Sequence, residues 1–159
     1  MTPKERADAF VSKLLATQAD RGKMAQLRRG LTDSGKPQAW MALASLGGII
    51  DSPAYLATGG LFAMHPTNTE AGSIGFTCHC ITKQRRVKPE QFAPRFNRLV
   101  SCATDEELAQ HLTSLVTMAK SCGVPINYRQ MFCDLWNWRW YRDEISVRWA
   151  KEYWSHTRN

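Results

Sequence analysis

Apolar side chains recur three and four positions apart along this chain of 159 residues, and that spacing restricts it to one class of fold. The clearest segment opens on Thr104 and Glu107 as a capping box, runs through Leu108, Leu112, Leu115, Val116 and Ala119, and closes at Gly123. Other helix starts repeat the grammar. Thr2 and Pro3 precede Phe10, Val11, Leu14 and Leu15; Gly22 interrupts, and a short helix carrying Met24, Leu27, Arg28 and Arg29 stops at Gly30. Thr32 to Lys36 reads as a loop, and a stripe of Trp40, Leu43 and Leu46 ends in Gly47 and Gly48. Ser52 and Pro53 open a helix that must end near His65, because Pro66 disfavours helical geometry before it. After a polar loop at 67–72, Pro89 and Glu90 begin a segment with Phe92, Phe96, Leu99 and Val100 inward, Pro94 being tolerated in its early turns. Asn127 caps a helix with Phe132, Leu135 and Trp136 apolar, and Asp143 caps the last one. There is no alternating strand pattern of useful length, no repeat and no low-complexity tract. The expected fold is all-α, a compact set of eight or nine short helices. It would form one domain over residues 1–159 or two packed halves, 1–82 and 83–159.

Five of the six tryptophans lie between Asp134 and Asn159, interleaved with Arg139, Arg142, Arg148, Lys151 and Arg158. At about 100° per residue, Ile145, Val147, Trp149, Ala150, Tyr153 and Trp154 cover roughly half of the last helix, so these rings belong mainly to the core. Trp138 and Trp140 alternate where the helical pattern breaks, which leaves room for one to be exposed although packing is favoured for both. Stacking on unpaired bases would require such an exposed ring.

The formal charge is +7, distributed unevenly: Pro37 to Thr82 contains no lysine or arginine. Clustered cations are what a polyanion partner requires. Neighbouring acids decide which cations are free. Arg148 has Glu144 and Glu152 one turn away on either side and is a weak candidate. Arg28 and Arg29, flanked by Arg21 and Lys23, have no acid one turn before them. Lys83, Arg85, Arg86 and Lys88 have only Glu90 nearby and fall in an expected loop; Arg139 and Arg142 lie at the joint between the last two helices beside Asp143.

Chemistry is poorly supported. The pattern Cys78-His79-Cys80 lacks a second pair of ligands, and alternate residues on a helix point apart. His111 reads as a partly buried structural histidine, and His65 has no carboxylate partner in sequence. There is no phosphate-binding loop, nucleophile elbow or carboxylate pair, so no enzyme activity, metal or other cofactor is expected. Five cysteines, an odd number, fit reduced thiols, and the charged MTPKERADAF with no long apolar run fits a cytoplasmic protein with no membrane partner.

The order of AQLRRGL (25–31), GLFAMHP (60–66), GSIG (72–75), RFNRLVSC (95–102), HLTSLV (111–116), DLWNW (134–138) and VRWAKEYW (147–154) resembles the CasB family, the small subunit of the type I-E CRISPR surveillance complex Cascade. The resemblance spans essentially the whole chain. It implies an all-helical, non-catalytic subunit present in two copies, packed against other Cascade subunits. Such a subunit helps hold the crRNA and target DNA and stabilises the displaced non-target DNA strand. It further implies that Arg28 and Arg29 face nucleic acid and that Arg142 lies on or near the same surface. Where relatives follow the Gly-x-x-Gly segment with a plain apolar and basic helix, this chain has FTCHCITKQRRVK, so the roles of Lys83, Arg85 and Arg86 rest on charge alone.

Base pairing reads sequence in such assemblies, so the subunit needs positive charge in a fixed track. Two rivals share the composition. A helix-turn-helix regulator would need a recognition helix with polar, base-reading residues, and a helical scaffold that binds only proteins would make the charge incidental.

Overall fold

The computed structural model describes residues 1–155, so Arg158 lies outside the described residues. Eight helical elements follow in order: α1 (Pro3–Thr17), α2 (Arg21–Arg29), α3 (Lys36–Ser45), α4 (Pro53–Met64), α5 (Ile74–Arg85), α6 (Pro89–Val100), α7 (Asp105–Ser121) and α8 (Tyr128–Ser155). The fold is all-α, as expected. None of these helices is long and apolar enough to cross a membrane.

Local sequence sets most boundaries. The Thr2 hydroxyl accepts the Glu5 N–H at 3.1 Å, and the Thr104 hydroxyl accepts the Glu107 N–H at the same distance. Asn127 Oδ1 accepts the Gln130 N–H at 3.1 Å to open α8, and α4 ends at His65 before Pro66. Asp20, not Gly22, marks the second start: its carboxylate accepts the Lys23 N–H at 3.0 Å, and Gly22 lies inside α2. Lys36 already belongs to α3.

α4 carries no charge and is buried from Ala54 to Ala63, so it is the central rod. Helices α2, α3, α7 and α8 pack around it, and α1 and α5 pack on α8. Phe10 of α1, Tyr55 of α4 and Phe132 of α8 join these layers through edge-on rings, with centroids 4.9 Å and 4.8 Å apart for successive pairs.

α8 consists of two limbs broken at Tyr141, whose φ of −130° and ψ of 29° leave the helical region. The break falls two residues before the expected second start at Asp143. Trp138 from one limb stacks on Trp149 from the other at 5.2 Å, and both are fully buried. Burying each indole removes about 200 Å² from water, about 5 kcal/mol of transfer free energy per ring.

Three expectations fail for tertiary reasons. Val147 is 53% exposed and Trp40 is 41% exposed, because neighbouring helices cover less of each circumference than the apolar arcs suggest. Lys83 and Arg85 form the last turn of α5, and Arg86 ends it with a left-handed φ of 55°, so this basic run is a helix terminus and not a loop. Arg148 pairs with neither Glu144 nor Glu152. Its guanidinium reaches Asp134 across the break, while Glu152 binds the Ser73 hydroxyl and N–H.

Candidate nucleic-acid interface

The basic residues sit mostly on helix ends. Arg21 opens α2, and Arg28 and Arg29 fill its last turn, all exposed, with Lys23 half-buried between them. Arg28 and Arg29 complement the negative end of the helix dipole, and their charged tips remain in solvent. The turn that follows folds back onto Arg29, whose carbonyl accepts from the Thr32 N–H and hydroxyl, each at 3.3 Å. Gly35 packs so closely there that a Cβ would fall 2.1 Å from the Arg29 carbonyl oxygen. Only glycine fits, and the exit of α2 is thereby fixed.

Lys83, Arg85 and Arg86 form a second exposed group at the end of α5. Beyond them, Tyr153 of α8 donates to the Pro89 carbonyl at 2.5 Å, which ties this end of α5 to the far end of the second limb. Arg142 lies at the start of that limb, eleven residues earlier, or about 16 Å of helical rise away. The two groups are therefore separate patches.

Arg139 and Arg142 share a solvent-open cleft with Ala103, Trp138, Trp140, Asp143 and Glu144. Arg142 is half-buried: its Nη1 donates to the Cys102 carbonyl at 3.3 Å, and its Nε lies 4.0 Å from Asp143. The guanidinium is thus held by a main-chain acceptor, with only a marginal counter-charge. Trp140 is 75% exposed and lies under the Arg139 guanidinium at 5.8 Å, whereas Trp138 is fully buried and donates to the Cys102 carbonyl at 3.0 Å.

Among the described residues, Arg21, Lys23, Arg28, Arg29, Lys83, Arg85, Arg86 and Arg139 make no ion pair. The start of α7 lies between the first and third groups. Its Glu106, Ala109, Gln110 and Thr113 face Gly30 and Leu31 at the exit of α2 across a cleft, and Cys102 and Ala103 just before it hold and line the Arg142 site.

Sequence reading passed over one basic groove. Arg95 and Arg98 of α6 and His111 and Ser114 of α7 line it together with Leu99, Leu115 and Met118. The signal was present: with Phe92, Phe96 and Leu99 inward, Arg95 and Arg98 fall three apart on the flank of that stripe without an acid between them. Two guanidiniums, an imidazole and a hydroxyl suit an anion such as a phosphate.

His111, expected to be partly buried, is so and lines this groove. His65 is buried and its Nε2–H donates to the Val124 carbonyl at 2.7 Å. Burial pushes the thiols of Cys78, Cys80, Cys102 and Cys133 up, Cys102 and Cys133 to about 11, which makes them poor nucleophiles. Cys78 is fully buried and Cys80 only half so, in keeping with side chains that diverge on α5.

This arrangement of helices is found in solved structures. A chain of a CRISPR RNA-guided surveillance complex superposes with a TM-score of 0.81 at 18% identity, covering 99% of this chain and 96% of that one. A CRISPR-associated protein of the Cse2 family from Thermus thermophilus gives 0.75 at 20% identity, with 98% and 99% covered. CasB from Thermus thermophilus gives 0.73 at 20% identity over the same shares. No curated protein sequence matches closely enough to count as a relative. At these identities the likeness establishes the fold, a helical architecture shared with CRISPR-associated small proteins. The sequence pattern of CRISPR-associated protein Cse2 matches residues 23–154, and the chain belongs to that family.

Proposed function

We propose that this protein is a non-catalytic small subunit of a cytoplasmic CRISPR RNA-guided surveillance complex of the Cascade kind. There it holds crRNA, target DNA and the displaced non-target strand by sequence-independent backbone contacts. Family membership and the neighbour from a surveillance complex support the setting. The observation that carries the nucleic-acid role is the set of exposed cations on helix ends without counter-charges: Arg21, Arg28 and Arg29 on α2, Lys83, Arg85 and Arg86 on α5, and Arg139 beside the tethered Arg142. Lys23 joins the first group. Long cations on rigid ends meet phosphates without reading bases, which suits an assembly whose guide does the reading.

The rival readings fare differently. α3, which follows α2 after a short turn, turns Trp40 and Met41 outward, where a recognition helix would present mainly polar donors and acceptors to base edges. Protein contact is a complement to nucleic-acid binding and not an alternative. Trp40, Met41, Ile49 and Ile50, all exposed around the end of α3, suit packing against other subunits or a second copy within the complex.

The test is charge reversal. Arg28→Glu with Arg29→Glu should weaken retention of target DNA by the assembled complex, increasingly as salt is raised, while the isolated protein keeps its circular dichroism and melting temperature. Target binding unchanged across a salt titration would reject the role.

A further inference from the structure

Three donors of different chemistry converge where α6 passes into α7. Cys102 lies in the connecting turn, and Glu107 and His111 sit four apart on α7, so both side chains leave the same face one turn from each other. One ligand atom from each, the thiol sulfur, a carboxylate oxygen and a ring nitrogen, lies within 4.8 Å of the other two. We propose that Cys102, Glu107 and His111 form a three-ligand site for a divalent transition cation, with Zn²⁺ the natural occupant.

The choice of metal follows from the donors. Sulfur, nitrogen and oxygen together suit a borderline ion such as Zn²⁺ or Co²⁺, whereas Mg²⁺ and Ca²⁺ require oxygen throughout. Three protein ligands leave a fourth tetrahedral position for water or for an incoming group, and the exposed Glu107 keeps that side open to solvent.

Supporting contacts already hold two of the three ligands, Glu107 and Cys102, in place. Glu107 Oε2 accepts the Ala103 N–H at 3.1 Å, which orients its carboxylate toward the turn. The Cys102 carbonyl accepts from Trp138 and Arg142, so the residue is anchored from the core, and its thiol donates to the Arg98 carbonyl at 3.2 Å. Burial, with Glu107 adding to it and Arg142 opposing, pushes this thiol up to about 11. A bound divalent cation supplies the charge that releases the thiol proton to solvent, leaving a thiolate ligand.

A consequence rests on the nucleic-acid reading above. The cation would bind beside Arg95, Arg98 and Arg142, and by fixing Cys102 it would fix the carbonyl that orients the Arg142 guanidinium. Loading would add positive charge next to the basic groove. The site itself stands or falls without that reading.

The experiment uses the full chain, stripped with a chelator, dialysed and titrated with Co²⁺. The expected result is saturation at a single equivalent, with tetrahedral d–d bands and a near-ultraviolet thiolate-to-cobalt band that Zn²⁺ bleaches. Cys102→Ser, nearly the same in size, should abolish the near-ultraviolet band, and His111→Gln should weaken the visible bands. Cys133→Ser should change neither. Circular dichroism checks that each variant folds, and Zn²⁺ should raise the melting temperature of the parent protein but not of Cys102→Ser. Absence of the near-ultraviolet band in the parent, or its survival in Cys102→Ser, overturns the site whatever the outcome for nucleic acid.

Discussion

Asp134 and Trp149 stand 15 residues apart in one helical run, yet the Trp149 indole N–H donates to the Asp134 carboxylate at 2.9 Å. A straight helix would separate them by about 22 Å. The contact therefore reports how sharply α8 folds back at Tyr141, and Asp134 is the residue that fastens its two limbs. Gln130 donates to it at 3.0 Å, and the Arg148 guanidinium pairs with it. Removing this acceptor should matter more than removing its charge. Asp134→Ala strands a buried indole N–H and should cost about 2–3 kcal/mol in urea denaturation, whereas Asp134→Asn keeps an acceptor and should cost less than about 1 kcal/mol.

The same residue gives a pH signature. Burial, the largest influence, raises the Asp134 carboxyl above its ordinary 3.8, with Arg148, Trp149 and Gln130 pulling it back. The native state then holds that proton more tightly than the unfolded chain does. Its contribution is complete below the ordinary carboxylate range and is lost as pH rises through the raised value. Stability of the parent relative to Asp134→Asn should fall as pH is taken from about 4 toward 7, measured by denaturant midpoints at each pH.

Gly75 brings α5 directly against the main chain of α8. A Cβ built on it would lie 2.0 Å from the Trp149 carbonyl oxygen, an obstacle of main chain that cannot rotate aside. Gly75→Ala should destabilise by about 3 kcal/mol or more by forcing α5 away from α8. Gly22→Ala is the contrast. Its Cβ would meet only the Asp20 side chain at 3.6 Å, so thermal denaturation should show no loss and a gain of up to about 1 kcal/mol.

The two alternating tryptophans should part company on mutation. Trp138→Ala empties a fully buried site and leaves the Cys102 carbonyl with Arg142 as its remaining donor, at a cost of about 3–5 kcal/mol. Trp140→Ala removes a ring that is 75% exposed and should leave the melting transition within about 0.5 kcal/mol of the parent. If Trp140 meets an unpaired base, the change should appear only as weaker binding of single-stranded DNA by the assembled complex.

Salt dependence offers a measure of how many cations act. Neutralising Arg28, Arg29 or Arg142 singly should free one phosphate and lower the slope of log affinity against log salt by about 0.7–0.9. A surface arginine outside the track leaves that slope unchanged.

Most helices, most of their caps and the all-α class were legible from the chain because they depend on local effects; α5 was not, since its residues show no clear apolar stripe. A threonine hydroxyl, a proline ring or a three-and-four spacing acts within one or two turns. The resemblance to a family likewise followed from the order of short motifs, and the match over residues 23–154 agrees with it. The basic residues could be picked by their distance from acids along the chain, which works while the relevant acid is a neighbour in sequence. For Arg148 it was not: Asp134, 14 positions away, comes to it through the fold.

Sequence alone determined most of the helical segments, α5 (Ile74–Arg85) not among them, and which cations lack a local counter-charge, since both follow from interactions spanning a few residues. The tertiary structure decided which of Trp138 and Trp140 is buried, which glycine carries a helix crossing, and that Cys102 meets His111 and Glu107. Those outcomes depend on how deeply each face is covered and on which distant backbone arrives there. Local periodicity carries no information about either.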